Sequence, residues 1–110
     1  MAKTKNKVIE VLKSYLKEVE NICHVDKAFL FGSYAHGRAG KDSDIDIAIF
    51  SRNVNNKNRL EVMSKAIMLI NKLKIDIQPI VFPYEDYTKE DSEFISSEIK
   101  KKGIEIHLSR

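Results

Sequence analysis

Apolar residues recur at every third or fourth position at the start of the chain. Val8, Leu12, Tyr15, Leu16, Val19 and Ile22 share one side of a helix predicted over about residues 4–22. The spacing then tightens. A short apolar run ending in Phe29-Leu30-Phe31 predicts a buried strand over residues 26–31, and Ile45-Asp46-Ile47-Ala48-Ile49-Phe50 predicts a second, opening at Asp44. Between them stands a Gly32-Ser33 turn. Ser33 is placed to cap a short helix through about Arg38, with Gly37 near its end and a polar loop over residues 39–43. A turn-rich connector over residues 51–57 leads to helical spacing again: Leu60, Met63, Ile67, Leu69 and Ile70, to about Leu73. Residues 74–82 read as a third strand, which Pro83 breaks. Residues 84–91, acidic and aromatic, read as a loop. A last helix over residues 92–102 presents Phe94, Ile95 and Ile99 on its apolar face. Gly103 stops it, and residues 104–108 alternate like an edge strand.

The order of these elements restricts the topology. A strand, a helix of about a dozen residues and another strand form a right-handed crossover with parallel strands. The starts of the second and third strands are then level, which predicts Asp76 beside Asp46. The first strand must run antiparallel to the second if Gly32-Ser33 is to lie near Asp44. Both conditions are met in one small mixed sheet with flanking helices, an α/β (α+β) fold. Pro79 lacks an N–H, so one side of the third strand is expected to go unpaired. No repeat or linker divides residues 1–110, and a single domain is expected.

Composition removes several classes of function. No apolar run approaches the ~20 residues that span a bilayer. The basic start of the chain leads into an amphipathic pattern, so it is not read as a secretory signal. A lone Cys23 cannot form an internal disulfide and suits a reducing, cytoplasmic setting. The net charge of +3 permits an anionic ligand without demanding nucleic acid, and no direct nucleic-acid binding is expected. Most of the lysines crowding the first segment read as a solvated helix face.

The chemistry concentrates at the strand ends. Asp44 and Asp46, two apart on a strand, project to the same side, while Ile45, Ile47 and Ile49 project to the other. Asp76 repeats the pattern between Ile75 and Ile77. Any one of these acids alone reads as a solvated strand-end aspartate. Three together repel and raise one another's pKa, a cost that cations offset. A Gly-Ser turn supplies backbone N–H groups to phosphate oxygens, and paired carboxylates hold divalent metals.

The stretch from Gly32 and Ser33 to Asp44 and Asp46 resembles the G-S-x10-D-x-D motif of the DNA polymerase β-type nucleotidyltransferases. The short chain is similar to their minimal branch, found in HEPN/MNT toxin–antitoxin pairs. The likeness runs from Phe29 to Ile106, with Asp76 in the place of the late third acid and Gly103 before the final strand. It implies transfer of a nucleoside monophosphate from a triphosphate to an acceptor hydroxyl. In antitoxin members the nucleotide is ATP and the acceptor a tyrosine of a HEPN-type ribonuclease toxin. Gly32 and Ser33 would hold the β- and γ-phosphates, aided by the positive end of the helix starting at Ser33. Asp44 and Asp46 would bind two Mg²⁺ ions, and Asp76 would ligate the metal on the acceptor side. The resemblance leaves two alternatives open: an antitoxin that neutralises by occlusion without catalysis, and transfer to a small molecule such as an aminoglycoside, with a homodimer supplying the pocket. Homo- and hetero-oligomers are both compatible with the chain.

Other candidates carry less. Arg38 and Lys41 flank the expected pocket and could contact a triphosphate. His36 reads as a solvent-facing helix residue, and Tyr34 as half-buried. Asp42 and Ser43 read as turn formers. Cys23, His24 and His107 lack the companions of a zinc site.

Overall fold

A computed structural model describes residues 5–37, 44–73, 76–89 and 92–108. Helix α1, Lys5–Val19, is followed by strand β1, Lys27–Phe31, and a single 3₁₀ turn, Gly32–Tyr34. Strand β2, Ile45–Ser51, helix α2, Arg59–Leu73, and strand β3, Ile77–Pro83, come next. Helix α3, Tyr84–Thr88, a π-helix over Phe94–Lys101 and the two-residue strand β4, Ile104–Glu105, complete the order.

The four strands form one mixed sheet in the order β3-β2-β1-β4. β1 runs antiparallel to β2 and β4, and β2 runs parallel to β3. Both sequence-derived pairing requirements are therefore met. Alternation along the strands splits the interior in two. Ile45, Ile47 and Ile49 pack with Leu30, Val81 and the buried face of α1. Ala48 and Phe50 pack on the other side with Phe29, Phe31, Ile95 and Ile99. Tyr15 ties α1 to α2 by donating its hydroxyl hydrogen to the Ala66 carbonyl at 2.8 Å.

Several expected elements differ in detail. The helix expected from Ser33 to Arg38 is one 3₁₀ turn over its described part, and Arg38 lies outside the described residues. Residues 84–91 were expected as a loop, but Tyr84–Thr88 is helical. The cause is packing: Tyr87 stacks on Phe29 at 5.9 Å and on Tyr84 at 5.7 Å, and its carbonyl accepts a hydrogen bond from Lys100 Nζ at 3.0 Å. Along α2 the buried positions are Val62, Ala66 and Ile70, whereas Leu60 and Ile67 of the expected apolar face are exposed. The small Ala66 was overlooked because its apolar character is slight, yet it lets α1 approach. The last strand pairs only through Ile104 and Glu105, with one further bond from the Ile106 N–H to the Ala28 carbonyl at 2.8 Å. Lys74 and Ile75, expected to begin the third strand, lie outside the described residues.

Candidate active site

β2 enters the site at Asp44 and Asp46, on the face that farther along carries Ala48 and Phe50. The alternation thus places both carboxylates at the open end of an otherwise apolar layer. Asp46 is paired in register with Phe31 of β1, so the next residue, Gly32, lies against it. Gly32 has φ +76°, and a Cβ built there would run into Asp46 Oδ2. Glycine is required twice over, by its backbone conformation and by the carboxylate occupying the space a side chain would take. The turn and Asp46, apart in sequence, are in direct contact.

This packing has an electrostatic consequence. Burial pushes the Asp46 carboxyl above the ordinary carboxylate range, and the charge of Asp44 pushes it further in the same direction. Asp44 is exposed, and its Oδ2 accepts a long hydrogen bond from Gln78 Nε2 at 3.4 Å. Among the described residues neither aspartate has a basic side chain in ion-pairing contact. A half-buried carboxylate beside a second one, with hard oxygen donors and no described protein cation, suits a divalent ion that takes oxygen ligands.

Asp76 stands one strand away, and here the expectation needs correction. The Ile45 N–H donates to the Asp76 carbonyl at 2.9 Å, and Asp46 pairs in register with Gln78. Asp76 is therefore level with Asp44, not beside Asp46. The parallel register accounts for this, since both strands start together and advance in step. Asp44, Asp46 and Asp76 do not close into a three-carboxylate metal cluster. Magnesium does not demand one, because it usually takes one or two carboxylates together with substrate phosphates and water.

Ser33 sits in the 3₁₀ turn beside Gly32. At three residues this element is too short for the macrodipole of a helix, so any pull on an anion comes from its individual N–H groups. Tyr34 is buried in the core, and His36 is half-buried with Nε2 3.8 Å from Glu98 Oε2 of the π-helix, not facing solvent. Arg38, Lys41, Asp42 and Ser43 lie outside the described residues. Gln78 was missed from the sequence. Its position two residues after Asp76 places it on the same strand face, which was the available signal.

The chain belongs to the nucleotidyltransferase domain family, whose model matches residues 6–108, and it is a nucleotidyltransferase. A Methanocaldococcus jannaschii protein named putative protein adenylyltransferase is 28% identical over 102 residues, covering 90% of this chain and 98% of its own. Two solved structures share the fold. One is a toxin–antitoxin complex with AMP-PNP, with a TM-score of 0.57 and 23% identity over 89% of this chain and 74% of the other. The other is a tri-AMPylated Shewanella oneidensis HEPN toxin with its MNT antitoxin, with a TM-score of 0.53 and 19% identity over 92% of this chain and 73% of the other. Among the described residues no helix is long and apolar enough to cross a membrane.

Proposed function

We propose that this protein is a cytoplasmic antitoxin that transfers AMP from ATP to a tyrosine of a HEPN-type ribonuclease toxin. The observation that carries this reading is the contact of Gly32 with Asp46, beside Asp44. It joins a phosphate-facing turn to a metal-binding acid pair at one point. The names of the archaeal relative and of the two complexes supply the rest: a protein acceptor, an adenine nucleotide and a toxin.

Gly32 and Ser33 hold the β- and γ-phosphates through backbone N–H groups and the serine hydroxyl. Asp44 and Asp46 would hold two Mg²⁺ ions, and Asp76 would be a ligand on the acceptor side. When bound, Mg²⁺ neutralises phosphate charge and lowers the pKa of the acceptor hydroxyl. The tyrosine oxygen attacks the α-phosphorus. A new O–P bond forms, the bond from the α-phosphorus to the bridging oxygen breaks, and pyrophosphate leaves with that electron pair. Asp76, exposed at the strand mouth, accepts the phenolic proton. The remaining contribution is positioning and charge compensation.

Intact mass spectrometry of the toxin after incubation with ATP and Mg²⁺ tests the reading. The expected result is a gain of whole AMP units, absent with Asp44→Asn. Asp76→Asn should slow turnover more than it weakens nucleotide binding. Unchanged toxin mass, with neutralisation complete only at equimolar mixing, would replace catalysis by occlusion.

A further inference from the structure

An open hollow of about 520 Å³ runs along the edge strand β3 beside the candidate site. Asp44 and Asp76 stand at its rim, and Met63, Ile67, Pro79 and Ile80 form apolar walls. Its size lies within the roughly 300–1,000 Å³ typical of ligand clefts. The apolar surface continues outward along α2. Leu60, Met63 and Ile67 are spaced by three and four residues and so share one side of the helix. Ile67, 44% exposed, lines the hollow, and Leu60, 76% exposed, lies two turns farther along the same helix, an unusual display for large aliphatic side chains.

The edge of β3 is closed to an added strand. In the parallel ladder with β2, Asp76 and Gln78 direct their backbone groups inward, so Ile77, Pro79 and Val81 direct theirs outward. Pro79 has no N–H to offer, and the Val81 carbonyl already accepts a hydrogen bond from Arg59 Nε at 2.5 Å. Strand addition needs successive free donors and acceptors. What fits instead is a side chain with an apolar body and a polar tip, the tip directed toward Asp76 and the body against Ile67 and Pro79. A phenol has that form.

We infer that this hollow and the adjoining face of α2 dock the segment of the protein acceptor that carries the modified tyrosine, through apolar side chains flanking it. The inference rests on the proposed adenylyl transfer. It assigns Ile67 and Leu60 to acceptor recognition, apart from the residues proposed to bind nucleotide and metal.

The test uses the full chain with ATP, Mg²⁺ and a purified HEPN-type toxin, with transfer followed by intact mass. Ile67→Glu and Leu60→Glu are chosen because both side chains are exposed, and Ile67→Leu serves as the conservative control. The expected result is a KM for the toxin raised by about tenfold or more in each Glu variant, in the range of a lost apolar anchor. Ile67→Leu should behave like the wild type, and AMP-PNP affinity by calorimetry should be unchanged in all three. If the wild type modifies the toxin and the Glu variants do so with an unaltered KM, the docking inference is overturned and the transfer reading stands. Sedimentation showing a wild-type dimer that Ile67→Glu dissociates, with the toxin KM unchanged, would assign the face to a second copy of this chain and overturn the inference. A wild type that leaves the toxin unmodified removes the transfer reading, and this inference with it.

Discussion

At the scale of single residues, two positions bear the most direct consequences. Gly32→Ala introduces a side chain at φ +76° and into the space of the Asp46 carboxylate. The left-handed conformation alone costs roughly 1–2 kcal/mol, and relief of the collision must move Asp46 or the turn. Denaturant unfolding should show a loss of at least that size, and adenylyl transfer should fall far more than stability does. Wild-type transfer by this variant would mean that the contact has no part in positioning. Asp26 gives a pH-dependent case away from the site. Burial pushes its carboxyl up, but hydrogen bonds from the Arg52 side chain and backbone N–H, together with the Arg52 charge, outweigh this and hold it below the ordinary carboxylate range. The bonds run from Arg52 Nη2 at 2.6 Å, Nε at 2.9 Å and the backbone N–H at 2.7 Å. A carboxyl depressed in the folded state contributes stability above its unfolded pKa of about 3.9 and loses it as pH falls through the folded value. Asp26→Asn should therefore be less stable than the wild type in urea at pH 7, with the difference shrinking below about pH 4. An equal difference at both pH values would rule out the carboxylate charge as its source.

At the scale of elements, the packing of α1 on α2 depends on a polar bond within an apolar layer. Tyr15 is fully buried, and its hydroxyl reaches the Ala66 carbonyl. Burial, with a smaller contribution from Cys23, drives its pKa far above the ordinary tyrosine value, so it is a neutral donor at all physiological pH. Tyr15→Phe should cost about 1 kcal/mol of unfolding free energy, because the Ala66 carbonyl keeps its place in the helix while the hydroxyl contact is lost. A cost near zero in chemical denaturation would show that the bond only replaces one to water. These elements differ in how far the sequence discloses them. α1 and β2 follow from strong periodicity, β1 follows from a short apolar run, and the antiparallel pairing of β1 with β2 follows from the need to bring Gly32-Ser33 near Asp44. α3 escaped because five residues are too few to display a period, and its helix is held by Tyr87 stacking on residues distant in the chain. The exposed side of α2 escaped because apolar identity does not specify which side a helix buries when a small residue such as Ala66 lies on the buried one. Asp76 stands at the start of β3 as expected, but its level was misread: the type of crossover is legible in the sequence, whereas the register that sets Asp76 against Asp44 arises from backbone pairing.

At the scale of the whole molecule, both faces of the sheet are committed to packing, and chemistry is left to the ends of the strands. One face carries α1 and α2, and the other carries Tyr84, Tyr87 and the π-helix. The candidate site opens where β2 and β3 begin, so a macromolecular acceptor can approach without disturbing either core layer. On the proposed function this small fold would hold nucleotide and metal and take the acceptor from a partner, which decides how neutralisation should scale. Transfer would leave a bulky anion on the toxin, where it would repel RNA phosphates and block access even after the proteins separate. One antitoxin can then disable many toxin molecules in turn. With ATP and Mg²⁺ present, ribonuclease activity should disappear over time at antitoxin well below one per toxin. With Asp44→Asn, or with an α,β-methylene analogue of ATP in place of ATP, inhibition should rise only in proportion to the antitoxin added. The measurement is residual RNA cleavage against the mixing ratio, followed by removal of the antitoxin. A toxin that regains full activity on separation was occluded, not modified, whereas one that stays inactive and carries added AMP mass was adenylylated.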